Sequence, residues 1–184
     1  LLAARRDGVV TLTYRSGRDA TMAWPEVVRV MRALPGGDLL VDGEITVQDP
    51  NGHPDFHRVQ ARGMVSDART AAVAELDDPA TYYAFDLLHQ DGRDVRSLPL
   101  QARKDLLHAL LPPLGAVRFT EHFDDGQALY DAVESAGLEG VMSKKRSAAY
   151  RSGRHDSWLK VPAARERPVT VVGWTARKAD QKDL

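Results

Sequence analysis

Two hydrophobic periodicities occur in this chain, and their irregular order constrains its fold more than any other feature. Alternating, β-branched stretches at residues 9–15, 39–48, 81–89, 116–123, 140–146, 157–161 and 169–175 predict strands. Amphipathic spacing at 25–34, 67–76, 100–111 and 126–136 predicts helices. Pro25 suits the first turn of the first helix, Pro35-Gly36-Gly37 ends it, and Pro112-Pro113 stops the third. A doubly wound parallel sheet needs strict strand–helix alternation, which is missing. The expected class is therefore α+β, with largely antiparallel sheets and flanking helices.

The chain has 184 residues, 43% of them hydrophobic and 28% charged, which excludes disorder as the main state and suits one domain plus the start of another. The proline-bounded stretch 162–168 reads as a linker before an apolar strand. The expected domains are 1–164 and a second beginning within 165–184. The first residue is not methionine, and a fragment is expected. No run of roughly 18 apolar residues and no secretory leader occurs, so the expected compartment is the cytoplasm. Absence of cysteine removes thiolate zinc sites and thiol catalysis.

A net charge of −1 gives no bulk attraction to a polyanion. Locally the balance differs. Residues 139–167 hold Lys144, Lys145, Arg146, Arg151, Arg154, Lys160, Arg165 and Arg167 against Glu139, Asp156 and Glu166.

Within strand 39–48, Asp42 and Glu44 flank Gly43 and point to one face. Adjacent carboxylates repel unless a cation or donors compensate, so the pair is either a metal or sugar-hydroxyl site or the solvated face of a strand. Glu139, ahead of Gly140-Val141-Met142-Ser143-Lys144, is either a divalent-ion ligand beside a phosphate or a loop charge. Lys160, on the face of Trp158, is a snorkelling surface residue or a phosphate contact. Phe85, in an apolar strand interrupted by Asp86, is core or a platform for a nucleobase. The turn carrying Arg15 and Arg18 is a hairpin end or a phosphate clamp. His53 and His57, separated by Pro54, read as loop residues. Neither a phosphate-binding Gly-rich loop nor a Gly-x-Ser-x-Gly elbow is present.

In order, Tyr14-Arg15-Ser16-Gly17, Asp42-Gly43-Glu44, Phe85-Asp86-Leu87-Leu88, Glu139-Gly140-Val141 and Trp158-Leu159-Lys160 resemble the motif series of ATP-dependent DNA ligases. Residues 56–62 and 150–154 are similar to the ligase domain of bacterial end-joining DNA ligase D in particular. The resemblance implies a nucleotidyltransferase (adenylation) domain, followed by an OB-fold whose first strand would lie at 169–174. It implies ATP and a divalent ion, Mg2+ or Mn2+, as cofactors, and nicked or broken double-stranded DNA as partner. End-joining factors are further partners, the protein being a monomer with no membrane association.

By that resemblance Phe85 would stack on adenine, and Glu44 would contact the ribose or the metal. Glu139 would help hold the ion, Lys144 and Lys160 would approach the phosphates, and Arg15 would contact the AMP phosphate or the 5′-phosphate of the nick. Asp42 would orient its strand. The family's nucleophile lies in Lys-x-Asp-Gly-x-Arg, which does not occur here; Leu1-Leu2 resemble the residues that follow it. Its last motif, Lys-x-Lys, reads Lys160-Val161-Pro162. The expectation is therefore a ligase core that does not adenylate itself as given. The rival readings are a noncatalytic nucleotide- or DNA-binding remnant, and an RNA ligase or capping-type nucleotidyltransferase.

Overall fold

The computed structural model describes residues 1–153, 155–163, 170 and 173. They fall into two units, one of residues 1–124 and 143–159, the other of residues 125–142 and those from 160 on.

The first unit is built on an antiparallel sheet. Strands β1 (Leu2–Arg6) and β2 (Val9–Thr13) form a hairpin, β3 (Leu39–Val47) pairs with β1, β4 (Ala80–Gln90) pairs with β3, and β5 (Arg93–Asp94) pairs with the end of β4. Strand β6 (Val117–Phe119) pairs in parallel with residues Tyr82–Ala84 of β4. Helices α1 (Pro25–Ala33), α2 (Phe56–Arg62), α3 (Ala68–Asp77) and α4 (Leu100–Leu110) flank this sheet. Trp24, Val27 and Met31 from the start and inner face of α1 pack with Leu12, Val41, Val47, Tyr82, Leu107 and Val117 into one buried core.

The α+β expectation with largely antiparallel pairing holds, and three local readings need correction. The first concerns β1, which is a strand although no strand was expected before residue 9. Its Leu-Ala-Ala-Arg-Arg sequence lacks alternation because Arg5 points inward. The guanidinium donates to the carbonyls of Met31, Leu34, Pro35, Gly36 and Gly37 at 2.6–3.1 Å, which satisfies the open C-terminal end of α1. The turn at Asp7 (φ 49°) and Gly8 (φ 75°) has the left-handed geometry of a tight hairpin.

The second is α2, which takes in His57, expected in a loop, while His53 does lie outside any element. Asp55 caps it by accepting from the backbone N–H groups of His57 and Arg58, so Pro54 lies ahead of the helix rather than within it. The third is the strand expected at 116–123, which stops at Phe119.

In the second unit, helix α5 (Gly126–Ser135) is capped by Asp125, which accepts from Ala128 N–H at 2.9 Å. Strands β7 (Gly140–Lys144) and β8 (Trp158–Pro162) pair with each other, and each has residues in both units. The linker and opening OB strand expected at 165–184 lie outside the described residues, apart from Thr170 and Gly173, neither of which is in a strand.

Candidate functional site

Strand β3 buries Leu39, Val41, Gly43, Ile45 and Val47 and turns Leu40, Asp42, Glu44 and Thr46 the other way, so the two carboxylates share a face as their spacing required. Gly43 between them lies over the core. A Cβ there would meet the Tyr82 ring at 2.5 Å and the Tyr83 carbonyl at 2.7 Å.

The neighbouring strand carries the decisive irregularity. Asp42 pairs with Asp86 and Gly43 with Ala84, leaving Phe85 without a partner on β3. Phe85 is thus the extra residue of a β-bulge, a device that redirects a side chain. It is half-buried, whereas its neighbours Ala84 and Asp86 are buried.

Around Phe85 the first unit gathers a cluster of rings and one cation. The Trp158 ring meets Phe85 edge-on at 5.9 Å, and Tyr150 and His155 stand 5.9 and 5.8 Å from Trp158. The Lys144 ammonium lies 3.9 Å from the Phe85 centroid and 3.8 Å from that of Trp158. Burial lowers the Lys144 pKa to about 8, against the attraction of Asp86.

Beneath the rings the charges are paired. Asp86 is held by two hydrogen bonds from Arg103, whose guanidinium also reaches the Ala148 carbonyl at 3.1 Å. Asp42 accepts a 2.9 Å hydrogen bond from the Tyr150 hydroxyl. Burial raises the Asp42 carboxyl above the ordinary carboxylate range, and the Tyr150 bond opposes that shift. Burial, together with the Asp42 charge, pushes the Tyr150 hydroxyl well up.

The other expected residues stand as follows. Glu44 and Arg15 are exposed and make no hydrogen bond or ion pair with the described residues. Arg18, from the same turn as Arg15, is instead committed to the fold: it stacks on Tyr14 at 4.4 Å and donates to the Gly63 carbonyl. In the second unit, Glu139 and Lys160 form an exposed ion pair with each other. Tyr150, Arg103 and Asp86 are cluster residues to which sequence reasoning gave no role. For Tyr150 the only signal was its place in the Tyr150–Gly153 run.

Among the described residues no group of three or more His, Asp or Glu could hold a metal by itself. No described helix is long and apolar enough to cross a membrane.

These residues fall where known proteins match. A probable DNA ligase of Mycobacterium marinum is 40% identical over 157 residues, covering 83% of this chain and 30% of its own. The multifunctional non-homologous end joining protein LigD of Pseudomonas aeruginosa is 30% identical over 187 residues, covering 100% of this chain and 21% of its own. The chain thus spans less than a third of the length of these relatives.

Among solved structures, the ligase domain from Mycobacterium tuberculosis LigD superposes with a TM-score of 0.69 at 31% identity, over 88% of this chain and 50% of that one. A mycobacterial DNA ligase D complexed with ATP and MES gives 0.67 at 32% identity, over 87% and 50%. The ATP dependent DNA ligase domain family matches residues 2–161, and it is to this family that the chain belongs.

Proposed function

We propose that this chain is the nucleotide-binding core of an ATP-dependent DNA ligase that seals breaks in double-stranded DNA, and that the Phe85 cluster is its adenine site. The observation that carries this reading is the bulge that leaves Phe85 unpaired beside Trp158 and Lys144. A flat ring with a cation 3.9 Å from its centroid suits a base joined to phosphates. The relative solved with ATP supports the choice of nucleotide.

In this reading Phe85 is the platform for the base, Glu44 faces the ribose or the divalent ion, and Lys144 neutralises phosphate charge. Arg15, exposed on its turn, contacts the AMP phosphate or the 5′-phosphate of the nick. In the second unit the Glu139–Lys160 pair has the composition of a metal-and-phosphate contact, in which Glu139 would hold a divalent ion and Lys160 would contact a phosphate. The ion, Mg2+ or Mn2+, supplies Lewis-acid stabilisation of phosphate charge. The basic run through Lys144, Lys145, Arg146 and Arg151 suits a DNA backbone, and end-joining proteins are the expected company of such an enzyme. The protein works as a monomer, in the cytoplasm at the nucleoid.

Covalent catalysis in this family begins at a lysine within Lys-x-Asp-Gly-x-Arg, a motif these residues do not contain. The expected result is that the chain binds ATP in calorimetry, Phe85→Ala weakens that binding by about tenfold or more, and radiolabelled ATP with magnesium leaves no lysine-linked AMP. Equal affinity in Phe85→Ala would overturn the adenine assignment. Label on Lys104, Lys144, Lys145 or Lys160 would overturn the view that none of them is the nucleophile.

A further inference from the structure

Lys144 occupies the surface that the nucleotide reading assigns to adenine. Its ammonium is 3.9 Å from the Phe85 centroid, and a base stacked on that ring face and the ammonium exclude each other. What holds the ammonium there is weakly directional. Lys144 donates no hydrogen bond to any described residue. The two nearby carboxylates are already engaged, Asp86 by Arg103 and Asp42 by Tyr150. Three N–H donors on a four-carbon stem therefore rest against ring faces alone.

We propose that Lys144 is a displaceable occupant of the base-stacking face: its ammonium covers Phe85, and an incoming adenine moves it off the ring onto the phosphates. This rests on the nucleotide reading of the cluster and adds to it a basis for selecting nucleotides over nucleosides. Adenosine must expel the cation and offers the displaced ammonium no new partner. ATP expels the same cation and supplies phosphate oxygens that accept charge-assisted hydrogen bonds from it. The stacking that adenine gains on Phe85 compensates the ring contact that Lys144 gives up. Asp86 and Asp42 draw the ammonium inward while Arg103 and Lys104 oppose it, so no single charge fixes it in place.

The test combines lysine-detected NMR with calorimetry on the whole chain and on Lys144→Ala. In the free chain the Lys144 ε-methylene, assigned by its loss in Lys144→Ala, resonates upfield through the ring currents of Phe85 and Trp158. Saturating ATP removes that shift. Lys144→Ala, which leaves open the ring face that a methionine would cover, tightens adenosine binding by about tenfold and weakens ATP binding by about tenfold. Lys144→Gln, uncharged but polar, gives the same divergence if the first variant folds poorly. Both ligands moving in the same direction, or no upfield shift in the free chain, would overturn the proposal. ATP that binds while Lys144 stays upfield would also overturn it and leave the nucleotide site standing. Failure of the chain to bind ATP at all would remove the nucleotide reading, and the proposal with it.

Discussion

Asp86 accepts hydrogen bonds from Arg103 Nε at 2.7 Å and Nη2 at 2.9 Å, and neither side chain has any exposed surface. The pair ties α4 to the strand that presents Phe85, one residue away. Removing one partner strands a charge inside the protein, which costs about 3–5 kcal/mol, whereas replacing both with apolar residues avoids that penalty. Asp86→Ala is expected to lose stability on that scale in urea denaturation. The double variant Asp86→Leu/Arg103→Met is expected to be more stable than either single change. A double variant no better than the singles would show that the pair is not a desolvated unit.

Gly43 separates the two carboxylates of β3 for a packing reason. The ring its Cβ would strike cannot retreat, because the Tyr82 hydroxyl, with one proton to donate, is held between the carbonyls of Leu1 and Val41 at 2.8 and 3.0 Å. Gly43→Ala should cost about 1–3 kcal/mol through overpacking and lower the Tm by about 2–4 °C for each kcal/mol lost. An unchanged melting curve would mean that β3 can move away from β4 at this point.

The same residues mark how far the sequence could be read. Alternation in β3 placed Asp42 and Glu44 on one face without knowledge of the partner strand, because pleat geometry is local. The exposure of Phe85 was not legible. It depends on which residue of β3 faces it, and a bulge is a property of two strands. Arg103 and Arg5 escaped notice because hydropathy turns arginine outward, while here a carboxylate and a ring of carbonyls satisfy the buried guanidinium groups. Two local signals do stand in the sequence: Asp7-Gly8, which turns β1 into β2, and Pro54-Asp55, which starts α2. Motif order located the site, and the pairing of charges beneath it needed coordinates.

Arg5 gives a test of that last distinction. Its planar fork reaches several carbonyls at the end of α1, and a lysine ammonium at the same position reaches fewer. Arg5→Lys is expected to lose the equivalent of one or two charged hydrogen bonds, roughly 2–5 kcal/mol. Faster hydrogen exchange at the C-terminal turn of α1 should accompany it. A loss spread evenly over the sheet would point instead to β1 pairing.

The environment of Lys144 makes stability depend on pH in a calculable direction. Its pKa is about 8 in the folded chain because burial disfavours the charged form, and it returns to ~10.4 on unfolding. Between those values the unfolded state binds more protons, so the Lys144 contribution to stability rises with pH from about 8 to about 10 and is flat below that window. Tyr150 and Tyr82 act in the opposite sense. Burial raises both hydroxyls, so above roughly pH 10 the folded state holds protons that the unfolded state releases, and stability falls. Lys104, also lowered by burial, shifts in the same sense as Lys144 but is common to both proteins in a comparison with Lys144→Met. Denaturation from pH 7 to 10 should therefore show the chain gaining on Lys144→Met as pH rises. ATP affinity should weaken over the same range in the chain and stay level in the variant. A stability difference that does not change with pH would mean that the Lys144 ammonium is hydrated rather than held against the rings.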